Sequence, residues 1–233
     1  MLKPTQTKIY IIAVILLIGL SLSAQFNVKV GYEFNRSSEE VYNTIVNSYN
    51  EQLSASLDEL DNPLSQIRNR SGIALGVRYR YNTAAIELFT HRTSGDSEAE
   101  GFTTSGSEYS EKISTSNLYY GIAAENQFGI IGFGASIGYE TLKFKNKIND
   151  RDSNREFLNQ RELASRLYLN FEFPSNNISC SIKPYYHFSL GEYNLIPFKN
   201  ELAPDVNINT SDLLIKPSSW GVTLILYNGP QPD

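Results

Sequence analysis

Ile131-Gly132-Phe133-Gly134-Ala135-Ser136-Ile137-Gly138-Tyr139-Glu140 alternates without a slip. Odd positions are apolar and even positions carry glycine, serine or glutamate, the period of two that sends successive side chains to opposite faces of a β-strand. Such a strand has one face in an apolar medium and the other in a polar one. Its length matches the roughly 9 to 11 residues with which a tilted strand crosses a bilayer.

The same pattern recurs on both sides. Upstream, Leu118, Tyr120, Ile122 and Ala124 alternate with Asn117, Tyr119, Gly121, Ala123 and Glu125, and only residues 127–130 separate the two segments. Further upstream, Ile73, Leu75, Val77, Tyr79 and Tyr81 oppose Gly72, Ala74, Gly76, Arg78 and Arg80; after the two-residue turn Asn82-Thr83, Ile86 and Leu88 oppose Ala85, Glu87 and Phe89. The first strand sorts Phe26, Val28, Val30, Tyr32 and Phe34 from Asn27, Lys29, Gly31 and Glu33. Downstream, Leu167, Leu169, Phe171 and Phe173 oppose Arg166, Tyr168, Asn170 and Glu172. Beyond the turn Pro174-Ser175-Asn176-Asn177, Ile178, Cys180, Ile182, Tyr186 and Phe188 oppose Ser179, Ser181, Lys183, Tyr185 and His187. Trp220, Val222, Leu224 and Leu226 against Ser219, Gly221, Thr223 and Ile225 make the eighth. Short connections alternate with the long ones at 35–71, 93–116, 146–161 and 191–217, as in a barrel with tight turns at its periplasmic end and extended loops outside.

A soluble β-sandwich or lipocalin-like barrel also alternates, but it packs apolar side chains inward and excludes charge from its interior. Here one face carries Lys29, Arg78, Arg80, Arg166 and Lys183 together with Glu33, Glu87, Glu125, Glu140 and Glu172, and the other carries none of them. A membrane barrel, apolar toward lipid and polar toward its lumen, accounts for both faces, and closure leaves no unpaired edge in lipid. The expected fold is therefore all-β: an eight-stranded antiparallel up-and-down transmembrane β-barrel with a helix in its first extracellular loop. Apolar-face aromatics form two girdles, one near the loops (Tyr32, Phe34, Tyr120, Tyr139, Tyr186, Phe188, Trp220) and one near the turns (Phe26, Tyr79, Tyr81, Phe133, Phe171, Phe173).

The N-terminal residues 1–24 read as a signal peptide. Lys3 and Lys8 precede an apolar run over 9–20, and Ser21-Leu22-Ser23-Ala24 offers small residues for cleavage after Ala24. The alternative, a membrane anchor, wants about 20 apolar residues. Residues 25–228 are then the barrel domain and 229–233 a short periplasmic tail. One cysteine, Cys180, excludes an intrachain disulfide, and a formal charge of -5 argues against nucleic-acid binding.

With these strands in place the chain resembles the small outer-membrane barrel families typified by the OmpA membrane domain and OmpX, also described as outer membrane protein beta-barrel domain or porin-family proteins. The last strand, Ser219-Trp220-Gly221-Val222-Thr223-Leu224-Ile225-Leu226, looks like the assembly signal of those families, with Ser219, Gly221, Leu224 and Leu226 at its key positions. It departs from them in its tail, where Tyr227 is followed by Asn228 to Asp233 instead of a terminal aromatic residue. The resemblance implies an outer-membrane location with both termini periplasmic. The implied partners are outer-membrane lipids, lipopolysaccharide and the barrel-assembly machinery, with a protein partner at the extracellular loops, and no cofactor.

An eight-stranded lumen is narrow enough to be filled by side chains. Its five basic and five acidic residues predict a paired, non-conducting interior, with a narrow pore as the alternative. In the first long connection, Val41, Ile45, Tyr49, Leu53 and Leu57 recur every four residues behind Ser38-Glu39-Glu40 and predict an amphipathic helix to about Leu60, ended by Asn62-Pro63. It serves as a lid over the barrel mouth, or lies in the lipid interface, or docks a partner. The other loops read as solvated, with an adhesive surface as the alternative. Lys143-Phe144-Lys145-Asn146-Lys147 reads as a solvated strand end, or as a contact for lipopolysaccharide phosphates. His187-Phe188-Ser189 matches the bare His-x-Ser spacing of lipid A 3-O-deacylases, with Glu192 nearby, but shares the lumen-facing parity of Lys183; the expectation is a non-enzymatic protein. His91 is the only other histidine, too few for a metal site.

Overall fold

The computed structural model describes residues 24–37, 40–66, 68–149, 155–175 and 177–228. The signal-peptide reading, the Ser38-Glu39 helix start, the middle of the 174–177 turn and the 229–233 tail lie wholly or mainly outside them. In chain order come β1 (Ala24–Ser37), α1 (Glu40–Ser56), β2 (Glu59–Asn62), β3 (Asn69–Tyr81), β4 (Ala84–Phe102), β5 (Glu108–Phe128), β6 (Ile131–Ile148) and β7 (Arg155–Phe173). Then follow β8 (Ile178–Ser189), β9 (Tyr193–Asn194), α2 (Ile196–Leu202), a 3-10 turn (Thr210–Leu213), β10 (Leu214–Ile215) and β11 (Ser218–Asn228).

Eight strands close into a ring in the order β1, β3, β4, β5, β6, β7, β8, β11, with β11 returning to β1. Every adjacent pair is antiparallel. Asn82 and Gly129 take positive φ in the turns β3–β4 and β5–β6, the backbone twist that two-residue hairpins require. The alternation read from the sequence becomes an outer wall of exposed Phe26, Ile73, Ile86, Ile122, Phe133, Leu167, Tyr186 and Trp220, while the charged partners of those residues are buried inside. A soluble protein does not show so much apolar surface in one continuous belt. No described helix is long and apolar enough to cross a membrane.

Small residues make the lumen habitable. Gly134 pairs across the sheet with Tyr168, and Gly221 with Tyr185. Both glycines point inward and each tyrosine ring lies over its glycine, so that a Cβ there would collide with the ring. Gly134→Val or Gly221→Val is expected to displace a lumen tyrosine at a cost of about 1–3 kcal/mol. The measurement is the urea midpoint of the refolded barrel; an unchanged midpoint would mean that the ring has another place to go.

The connections at 93–116 and 146–161 differ from the sequence expectation. They are not solvated loops: β4 and β5 run on to leave only residues 103–107 between them, and β6 and β7 continue to Ile148 and from Arg155. At 19, 21, 18 and 19 residues, β4 to β7 are about twice the length a bilayer needs. They form a tall half-wall above the shorter β1, β3, β8 and β11.

The two faces exchange character along this half-wall. On β6, the apolar side chains of 131–139 face out, but above Tyr139 the outward residues are Thr141, Lys143, Lys145 and Lys147, and Leu142 and Phe144 are buried inside. Above the membrane belt the strands therefore enclose a water-soluble type of core. Ala99, Ile113, Leu142, Phe144 and Leu158 pack there against Tyr42, Ile45, Val46 and Leu53 of α1 and against Tyr193, Leu195, Phe198 and Leu202.

Helix α1 thus lies inside the mouth as a plug. Of the stripe expected from the sequence it buries Ile45 and Leu53 and half-buries Val41, Tyr49 and Leu57, it buries Tyr42 and Val46 besides, and it ends at Ser56 instead of near Leu60, because Glu59–Asn62 pairs with β4 as an extra strand. Asn50 clamps the returning chain, accepting from the Leu64 amide at 2.8 Å and donating to the Leu64 carbonyl at 3.0 Å. In the 191–217 connection, Pro197 occupies the first turn of α2, where a missing N–H costs nothing. Gln160 of β7 holds that connection through both backbone groups of Asn194, at 2.7 and 2.6 Å.

Candidate functional site

Because alternate residues of all eight strands point inward, the lumen gathers charge from every wall. All ten predicted lumen residues are buried there. They divide into two layers.

The lower layer, toward the tight turns, is built around three carboxylates. Glu87 receives Lys29 at 2.5 Å on one oxygen and Lys183 at 2.9 Å on the other, and Lys183 also reaches Glu125 at 2.7 Å. Arg78 grips Glu172 through two parallel hydrogen bonds of 3.0 and 3.1 Å, and Arg80 adds a third at 3.0 Å. Bidentate pairing of this kind is the strongest form of the contact. Tyr227 closes the layer: its hydroxyl donates to Glu87 at 3.1 Å while its ring lies 3.7 Å beneath the Arg78 guanidinium.

In the upper layer, Arg166 forks onto both oxygens of Glu33 at 3.0 and 3.1 Å, and Tyr185 donates to the same carboxylate at 2.7 Å. His91 Nδ1 completes the set around Glu33. The second carboxylate, Glu140, has His187 Nε2 at 3.1 Å, Asn117 as a donor, and the Tyr193 hydroxyl at 3.2 Å. Tyr193 belongs to the plug core, so Glu140 joins the membrane-level network to the structure above it.

Phe89, Tyr119, Ala123 and Tyr168 separate the layers as a buried cluster. The cavity remaining between them measures about 20 Å³, and a second one beneath Tyr42 is of the same size. Each is room for about one water molecule. Larger hollows are open grooves on the outer wall, such as the one bordered by Phe133, Leu167, Tyr186 and Trp220. Sequence reading missed Tyr185, Tyr227, His91, His187 and Asn170 as members of the network. Their shared inward parity was a visible signal, but which layer each joins depends on strand register.

Several other positions follow. His187 and Ser189 are both inward and buried; the Ser189 hydroxyl donates to the Gly191 carbonyl at 2.9 Å, and His187 faces Glu140. Among the described residues no group of three or more His, Cys, Asp or Glu could hold a metal ion. On β11, Ser219 and Gly221 face the lumen and Leu224 and Leu226 face out, with Ser219 accepting from Asn35 at 2.8 Å. In the plug, Tyr49 and Tyr109 both donate to the buried Glu111, and burial with that carboxylate raises the Tyr49 phenol well above its usual range.

These features define a class: a closed β-barrel of the outer-membrane type, filled from end to end by paired charges below and a helical plug above. Within that class the chain belongs to the Family of unknown function (DUF6850), which it matches over residues 12–215. No curated protein matches it. Among solved structures it is similar to Ail, the attachment invasion locus protein of Yersinia pestis, in complex with the heparin analogue sucrose octasulfate. The identity is 15%, the coverage 88% of this chain and 99% of that one, and the TM-score 0.46. It is also similar to Neisserial surface protein A, at 9% identity, 89% and 99% coverage and a TM-score of 0.38. A third is the translocator domain of the autotransporter NalP from Neisseria meningitidis, at 6% identity, 96% and 95% coverage and a TM-score of 0.32.

Proposed function

We propose that this protein is a sealed, non-enzymatic wall element of the outer membrane that acts through its external crown. The crown is the part of β4 to β7 that rises above the belt, together with the two helices it holds. In this reading a signal peptide over 1–24 is removed, the tight turns and both termini face the periplasm, and Ser219, Gly221, Leu224 and Leu226 serve the assembly machinery.

The observation that carries the reading is the double closure of the lumen, by two ion-pair layers with water-sized gaps and by a packed helix above them. A conducting pore of this diameter would need a continuous hydrated path, and paired charges in a dry interior hold shape instead of passing solute. The crown in turn has a rigid core under a surface of strongly uneven charge. Asp58, Glu59, Asp61, Asp96, Glu98 and Glu100 are all exposed around β2 and β4, a surface suited to a basic protein partner.

The test is electrical. Purified protein inserted in planar bilayers is expected to give no reproducible conductance step, although it shifts on heating in a semi-native gel as a folded barrel does. Regular steps from heat-modifiable protein would overturn the sealed-lumen reading and leave the barrel reading intact.

A further inference from the structure

We propose that the outer face of β5 to β7, just above the apolar belt, binds the phosphorylated headgroup of an outer-leaflet glycolipid. The proposal rests on the outer-membrane reading above and assigns one lipid site to it.

The belt ends on this side at Leu118, Tyr120, Tyr139 and Leu163, which are neighbours across the three strands: Tyr120 pairs with Tyr139 and Tyr139 with Leu163. One pair higher, Leu118, Thr141 and Arg161 stand in a row, and one pair above that, Ser116, Lys143 and Asn159. Lys145 follows opposite Ser114. At roughly 3.3 Å per residue and a tilt of about 40°, Arg161 sits about 5 Å and Lys143 about 10 Å above Tyr139. That is the depth of the headgroup layer, and long lysine stems reach down into it.

These cations are poorly neutralised by the protein. Arg161 is exposed, and its guanidinium lies 4.3 Å from the Tyr139 ring centre and 5.2 Å from that of Tyr120. Two aromatic rings hold it in place while its N–H groups remain available. Among the described residues no carboxylate lies within ion-pair distance of Arg161 or of Lys145, although Glu156 is the cross-strand neighbour of Lys145. Lys143 has only Glu156, at 3.8 Å. By contrast Lys112, at the edge next to β4, is engaged by Asp96 at 2.9 Å and Glu98 at 2.7 Å.

In a chain of net charge -5, Arg161, Lys143 and Lys145 thus set positive charge just above the belt on this face, and exposed Arg92 of β4, the cross-strand neighbour of Leu118, lies in the same paired row. The β4 wall beside it carries Asp96, Glu98 and Glu100 outward and would repel the same ligand. An amphiphile fits both halves of the face, with acyl chains on Leu118, Tyr120, Tyr139 and Leu163 and phosphates under Arg161, Lys143 and Lys145. Arginine held flat presents the forked donors that match a phosphate, and charge-assisted bonds at a low-dielectric boundary are strong.

The test uses the full mature chain in detergent micelles, followed by native mass spectrometry with added diphosphoryl lipid A, phosphatidylglycerol or phosphatidylcholine. Wild type is expected to retain lipid A at least about tenfold better than phosphatidylcholine. Arg161→Gln with Lys145→Gln is expected to remove most of that preference, Lys145→Gln alone part of it, and Arg36→Gln, exposed on β1 across the barrel, none. All four proteins must keep the heat-induced gel shift, which the exposed positions should permit. Equal retention by wild type and the double variant, or loss with Arg36→Gln as well, would overturn the proposal. So would displacement of lipid A by millimolar inorganic phosphate, which would make the site one for the free anion. A chain that never shows the heat shift would instead remove the outer-membrane reading beneath it.

Discussion

Glu87→Gln is expected to destabilise the barrel by about 3–5 kcal/mol, the usual penalty for breaking a buried ion pair from one side. Glu87 is almost wholly enclosed and receives Lys29, Lys183 and the Tyr227 hydroxyl. Lys183 retains Glu125 after the substitution, but Lys29 has no other carboxylate within ion-pair distance among the described residues. Its ammonium would remain in a space too small to hydrate it. The measure is the urea midpoint of protein refolded in detergent. Lys29→Met combined with Glu87→Gln is expected to recover most of the loss, since an apolar stem leaves no uncompensated charge. If the double variant were as unstable as the single one, the penalty would come from lost packing and not from the stranded charge.

Phe198→Ala is expected to loosen the crown and leave the membrane part standing. Phe198 is fully buried and meets Phe144 at 4.8 Å, Tyr42 at 5.5 Å and Phe157 at 5.9 Å between ring centres, so it joins α2 to α1 and to the wall. Truncating a buried phenylalanine costs about 3–5 kcal/mol through lost burial and the cavity left behind. The plug core and the aromatic cluster of the lumen are separate, and Tyr193 touches Glu140 where the plug meets the upper ion-pair layer. The loss should therefore appear as faster protease cleavage in the 191–217 segment while the heat-induced gel shift persists. A variant that lost the gel shift altogether would show that the crown and the barrel unfold as one unit.

The same separation follows from the medium that surrounds the strands at each level. In the membrane, lipid supplies the apolar surroundings and the strands need only satisfy one another and the charges between them. Above it, water surrounds the strands, and they can stay paired only by burying an apolar core of their own. The plug is that core.

Much of this was legible in the residues. The eight strands, their pairing by short connections at Asn82-Thr83 and 127–130, and the parity that sends Lys29, Glu87 and Arg166 to one face all follow from a two-residue period with local turn chemistry. The stripe on α1 was legible too, since Ile45 and Leu53 recur at helical spacing. The upper half of the strands was not recognised, although its signal was present: Leu142 and Phe144 are apolar on the parity that is charged or small at Glu140 and Gly138. That reversal marks where the strand leaves lipid for water, and polar residues such as Ser114 and Ser116 disguised it as loop.

Sequence by itself determined the period, the closure and the sorting of charge from apolar surface, because each of these is set by neighbours one or two residues apart and by the medium each face must meet. Only the tertiary structure decided which carboxylate serves which cation, that α1 enters the mouth instead of lying on the membrane, and that Arg161, Lys143 and Lys145 converge on one side. Those choices depend on the register between strands far apart in the chain, where a shift of two residues keeps every side chain on its face and changes all of its partners.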